Sequence, residues 1–144
     1  MTQIMLILKR ARQYELEVAA QLEHIERLHR IGRIARQSSE YALEIAEKLR
    51  RLERELNEQI DKAVDCKLKA LNYISLLEGE ENAVIYHYYI LGEDWQKIAD
   101  KLYTSERRVF MLRKSALARL EQAERKEALW ASDTRSGNTE SASV

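Results

Sequence analysis

The 144-residue chain contains no proline and only four glycines. These two residues punctuate turns and break helices, and average usage is roughly 5% and 7%. A sandwich, a barrel or a βαβ protein needs many such turns, so all-β and α/β folds are excluded. One cysteine, Cys66, excludes an intramolecular disulfide and points to a reducing compartment. It sits in a helical run without metal-ligand spacing and reads as a structural thiol. No stretch approaches the ~20 apolar residues of a membrane span. The opening MTQIMLILKR has too short an apolar run, with charge on the wrong side, for a signal peptide. A cytoplasmic protein without a membrane partner is therefore expected.

Catalytic constellations are missing too. There are three histidines. His24 and His29 are five apart, which is not the same-face spacing of a helical metal pair. His87 lies in the aromatic run Tyr86-His87-Tyr88-Tyr89 and reads as a packed or surface side chain. No glycine-rich phosphate loop occurs, and the carboxylates alternate with Lys and Arg along helix surfaces. Neither an enzyme nor a cofactor-dependent or metal-dependent protein is expected.

What is present is helical. Charged residues make up 33% of the chain and aromatics 7%, with Leu, Ala, Glu, Arg, Ile and Lys prominent, the composition of long helices. Ile4, Ile7, Ala11, Tyr14, Val18, Ile25 and Leu28 recur at threes and fours, with Leu8 and Leu22 widening the stripe. This predicts a coiled-coil-like helix over 2–36, stuttering at Gly32. Ser38 or Ser39 is the expected cap of the next helix, with Glu40 in its first turn. Ile45, Leu49, Leu52 and Leu56 keep the rhythm, which slips at Ile60 and continues through Val64, Leu68 and Leu71. The short connector makes the two helices antiparallel neighbours.

Leu77-Glu78-Gly79-Glu80-Glu81 interrupts the pattern. We place a boundary there, between an interaction hairpin over 1–78 and a smaller unit over 79–131. Helices are expected over 80–91, ended by Gly92, over 94–102, capped by Asp94, and over 105–130, capped at Thr104-Ser105. Residues 132–144, SDTRSGNTESASV, are small, polar and aperiodic, and read as a disordered tail.

The 24 basic and 24 acidic residues cancel, yet residues 105–114 set Arg107, Arg108, Arg113 and Lys114 against Glu106 alone, a local +3. Ile98, Ala99 and Leu102, a turn at Tyr103-Thr104-Ser105, then Val109 and Leu112 have the spacing of a helix-turn-helix. Ala99 is the small residue where two helices meet steeply. Val84, Ile85, Tyr88 and Tyr89 complete its expected core. That leaves Ser105, Glu106, Arg107, Phe110, Met111 and Lys114 on the outer face, flanked by Arg108 and Arg113. In a major groove, arginine bonds guanine bidentately, and Phe110 or Met111 meets a thymine methyl. These eight residues are the expected DNA-binding set. Arg107 and Lys114 are assigned to bases or adjacent phosphates, Arg108 and Arg113 to phosphates.

The segment Leu76 to Gln122 resembles the fourth conserved region of bacterial sigma factors. More closely, it is similar to the RinA/ArpU-like regulators encoded by phages and prophages of Gram-positive bacteria. The resemblance is carried by the tyrosine-rich helix ending in Leu91-Gly92, by Trp95, Ile98-Ala99, Ser105, Arg107 and Val109, and by Ala116-Leu117 with Leu120. Weaker similarity reaches Ile60-Asp61 and Lys67. Tyr103 stands where glycine is common in the turn, and Asp94 replaces the usual serine cap. The resemblance implies sequence-specific binding of double-stranded DNA in a bacterial host and control of phage late or packaging-linked transcription. A sigma-like role would add host RNA polymerase as a partner. A homodimer is expected, paired through leftover apolar residues of the hairpin such as Leu8, Leu22, Ile31 and Leu43. The alternatives are a phage terminase small subunit and a coiled-coil adaptor that docks an acidic protein without DNA.

Overall fold

The computed structural model describes residues 2–34 and 39–142, with side chains described through residue 127 except at Ser39. The protein is all-α, and no strand occurs among the described residues. Helix α1 spans Gln3–Ile34 and α2 spans Ser39–Ile74. The Thr2 hydroxyl starts α1 by accepting the Met5 amide at 3.3 Å. At ~1.5 Å per residue each helix is roughly 50 Å long. They form an antiparallel hairpin: Ile7 meets Cys66 near one end, and Gly32 faces Ile45 near the other. A Cβ on Gly32 would sit 3.3 Å from Ile45 Cγ2, so the expected stutter is a close approach within a continuous helix. The expected caps Ser38 and Ser39 fall outside the described side chains.

The seam differs from its expected course in two places. Leu8, expected on the flank and as a dimer contact, is completely buried beside Ile4 and Ala11. On α2 the register does not slip. Val64 and Leu68 are exposed, while Leu56, Ala70 and Ile74 are buried, with Gln59, Ala63 and Cys66 half-buried between them. The threes and fours continue from Ile45 to Leu77 through small and weakly polar side chains. Hydropathy does not reveal these positions, because Gln59, Ala63 and Cys66 carry little apolar area.

The chain turns at 75–79. The Asn82 side-chain amide donates to the carbonyls of Ile74 and Leu77, both at 3.0 Å, satisfying Leu77 just past the end of α2 and adding a second bond to Ile74, which already accepts the Leu77 amide. Gly79 has φ +59°, which glycine adopts without steric cost. Helix α3, Gly79–Ile85, continues into a π-helical turn, Tyr86–Ile90, where the Leu91 amide donates to the Tyr86 carbonyl. The expected regular helix over this stretch is thus widened at its end. Gly92, φ +70°, stops it against Leu16. Helix α4, Trp95–Lys101, and helix α5, Glu106–Ala142, follow. The expected tail 132–144 coincides with the distal part of α5 and two further residues, outside the described side chains.

Two cores organise these helices. Val84, Ile98, Ala99 and Val109 form the helix-turn-helix core, with Tyr88, Trp95, Leu102 and Leu112 packed against it. Ile85 and Tyr89, expected there, turn the other way. They join Ile4, Leu8, Ala11, Ala70, Ile74, Leu77, Ile90, Ala116 and Leu120 in the larger core. Apolar packing therefore crosses the turn at 75–79. Each fully buried large side chain contributes about 1.5–3 kcal/mol, which seats α3 and α5 on the open end of the hairpin.

Candidate nucleic-acid interface

Local capping sets the geometry of α4 and α5. Asp94 Oδ1 accepts the Lys97 amide at 2.8 Å, and Ser105 Oγ accepts the Arg108 amide at 3.2 Å. Each cap satisfies a donor that a helix start leaves orphaned. Between them Tyr103 is forced to φ +54° and is 97% exposed. Behind the turn, Glu93 is buried and receives Lys101 Nζ at 2.7 Å and stands 3.3 Å from His87 Nδ1. Burial pushes its carboxyl pKa up, but the Lys101 and His87 hydrogen bonds overcome this and hold it below the ordinary 4.5. The anion ties the π-helical turn, through His87, to the end of α4, through Lys101.

With Val109, Ala116 and Leu120 buried, the opposite face of α5 points outward. Arg107, Phe110, Met111 and Lys114 follow at i, i+3, i+4 and i+7, and all four are exposed. Met111 is 65% and Phe110 46% exposed, the latter with its ring 5.0 Å from Trp95. Among the described residues neither Arg107 nor Lys114 has an ion-pair partner. Ser105 and Glu106 are exposed at the start of the helix, the serine hydroxyl engaged as its cap.

The two flanking arginines are held differently. Arg108 forks onto Glu80 of α3 through Nε and Nη2 at 3.0–3.2 Å. Arg113 turns inward, donating from Nε and Nη2 to the Tyr89 hydroxyl at 3.3 and 3.1 Å, its guanidinium 5.4 Å from the Trp95 ring. Burial raises the Tyr89 pKa despite Arg113, so this hydroxyl stays protonated. The eight expected residues thus divide. Four form a continuous outward strip, two sit at the helix start, and two arginines are tethered to either side.

Sequence patterning does not single out the side chains that do the tethering. Glu80 and Glu81 face α5, where Glu81 takes the Ser115 hydroxyl at 2.8 Å and Arg119 at 3.1 Å. The acidic balance of 79–104 is the one signal for them. On the other side Arg12 of α1 lies 4.0 Å over the Tyr88 ring, which stacks on Trp95 at 3.8 Å. No sequence signal links Arg12 to a residue 76 positions away.

The strip offers unpaired cations beside apolar side chains on a capped, well-packed helix, the chemistry that reads base edges and phosphates together. Comparison with protein-family models, with curated proteins and with solved structures gave no match for this chain.

Proposed function

We propose that the protein is a sequence-specific DNA-binding transcriptional regulator that lays the first turns of α5 in the major groove of a duplex. The observation that carries this reading is the strip of Arg107, Phe110, Met111 and Lys114. It is exposed and free of ion pairs among the described residues, and a buried core behind it fixes its direction. Arg107 and Lys114 contact bases or adjacent phosphates, and Arg108 and Arg113 phosphates. The resemblance of Leu76 to Gln122 to RinA/ArpU-like regulators supplies the narrower role: control of late transcription by a phage or prophage in the cytoplasm of its bacterial host. No helix of the described residues is long and apolar enough to cross a membrane.

Two copies joined through the hairpin match a palindromic operator. With Leu8 buried, Leu22, Ile31 and Leu43 remain exposed for that pairing. Light scattering at high concentration that returns the 16.9 kDa of one chain overturns the dimer.

Selection of bound sequences from a random duplex pool tests the main reading, because it reports specificity and half-site spacing together. On the selected site, Arg107→Ala costs about 1–3 kcal/mol and relaxes preference at one base pair. An unenriched pool, with equal affinity of wild type and Arg107→Ala, refutes it.

A further inference from the structure

Between α1 and the helix-turn-helix unit lies a cleft of ≈ 250 Å³ lined by Lys9, Arg12, Gln13, Leu16, Tyr88, Tyr89 and Arg113. Three of the seven are cations and none is a carboxylate. Elsewhere Arg108, Arg119, Lys67 and Lys101 each meet a glutamate. Lys9, Arg12 and Arg113 have no ion-pair partner among the described residues. Both guanidiniums are half-buried and held by neutral groups. Arg12 donates from Nη1 to the Tyr88 carbonyl at 3.2 Å and covers its ring, and Arg113 donates to the Tyr89 hydroxyl. The two tyrosines belong to the π-helical turn, a widened geometry frequent at functional sites.

Like charges that converge on one cleft repel, and partial desolvation strengthens that repulsion. Tethering to neutral partners orients the guanidinium forks without discharging them, which leaves the cleft prepared for an anion. Arginine's fork matches phosphate oxygens in pairs, and the volume suits a phosphate group with a modest body.

We propose that this cleft binds a phosphate group, bridging α1 to α5 through Arg12 and Arg113. Two sources share that chemistry: a free phosphorylated small molecule, and a backbone phosphate of a duplex held by α5. The first stands whether or not the chain binds DNA. The second rests on the function proposed above.

The test uses the full chain with Trp130→Phe, so that Trp95, stacked on Tyr88, is the fluorescent reporter. Inorganic phosphate and pyrophosphate are titrated at constant ionic strength against sodium chloride. A free ligand gives a saturable change in Trp95 emission, with affinity weakened at least tenfold in Lys9→Gln and Arg12→Gln. A duplex phosphate gives no saturation. Instead, Arg12→Gln and Lys9→Gln each lower the slope of log affinity against log salt, by at most about 0.9, the value of one neutralised phosphate. Lys9 is exposed, so its variant keeps the fold if the Arg12 variant does not. Phosphate titrations that superimpose on chloride, with an unchanged salt slope, overturn the proposal. If the wild type retards no duplex, the DNA reading fails separately and the phosphate titration alone decides.

Discussion

Replacing Glu80 with glutamine should tighten DNA binding while slightly weakening the fold. Arg108 holds Glu80 through a forked pair at 3.0–3.2 Å, but both side chains are more than half exposed. Such a pair is worth about 0–1 kcal/mol, because water screens it and two long side chains are ordered to make it. A phosphate that recruits Arg108 must first displace the carboxylate, so the pairing energy is subtracted from binding. Removing the charge returns that energy, and about 1 kcal/mol corresponds to roughly fivefold in affinity. Anisotropy of a labelled duplex should therefore show Glu80→Gln binding about two- to fivefold tighter at low salt, the gain shrinking as salt screens the pair. Urea unfolding should show a loss below about 1 kcal/mol. In an Arg108→Ala background the gain should vanish, since the coupling runs through that one side chain. Equal or weaker binding by a folded Glu80→Gln protein would show that Arg108 is not on the DNA face.

Three further outcomes follow from the packing. Tyr103→Gly should stabilise the protein by about 0.5–1 kcal/mol. The left-handed conformation costs a side chain about 1–2 kcal/mol, and the freer unfolded glycine returns part of the gain; a lower urea midpoint refutes this. Leu8→Ala should cost about 2–5 kcal/mol and shift the Trp95 fluorescence and far-ultraviolet circular dichroism transitions together, read in a Trp130→Phe background. Separate transitions would show that hairpin and helix-turn-helix are not one cooperative unit. Glu93→Gln should cost about 1.5–3 kcal/mol at neutral pH. Because its folded pKa is depressed below 4.5, the carboxylate's contribution is complete above that value and fades as pH falls through the lower folded one. The stability gap between wild type and variant should narrow as pH falls below 4.5; a gap that does not change with pH contradicts the assigned ion pairs.

Features governed by neighbours a few positions apart are legible in the amino-acid order. The helical period of α1, the caps at Asp94 and Ser105 and the stop at Gly92 depend on contacts within a turn or two, and the core of Ile98, Ala99 and Val109 joins two helices separated only by a short turn. The outward strip of Arg107, Phe110, Met111 and Lys114 follows from the same periodicity, because burying Val109 and Ala116 leaves one face of a helix free. The α2 seam beyond Leu56 is not legible in this way, since Gln59, Ala63 and Cys66 mark a helix face by position rather than by hydropathy.

Composition alone settled the class: without proline and with scarce glycine, the chain has little but helix to form. Tertiary structure decided how that helix is used. It buried Leu8 rather than exposing it for a partner, and it ran one core across the turn at 75–79. It also set Glu80 against Arg108 and Arg12 over Tyr88. Those pairs join residues 28 and 76 positions apart. Their meeting depends on how whole helices pack, a property no short window of sequence contains.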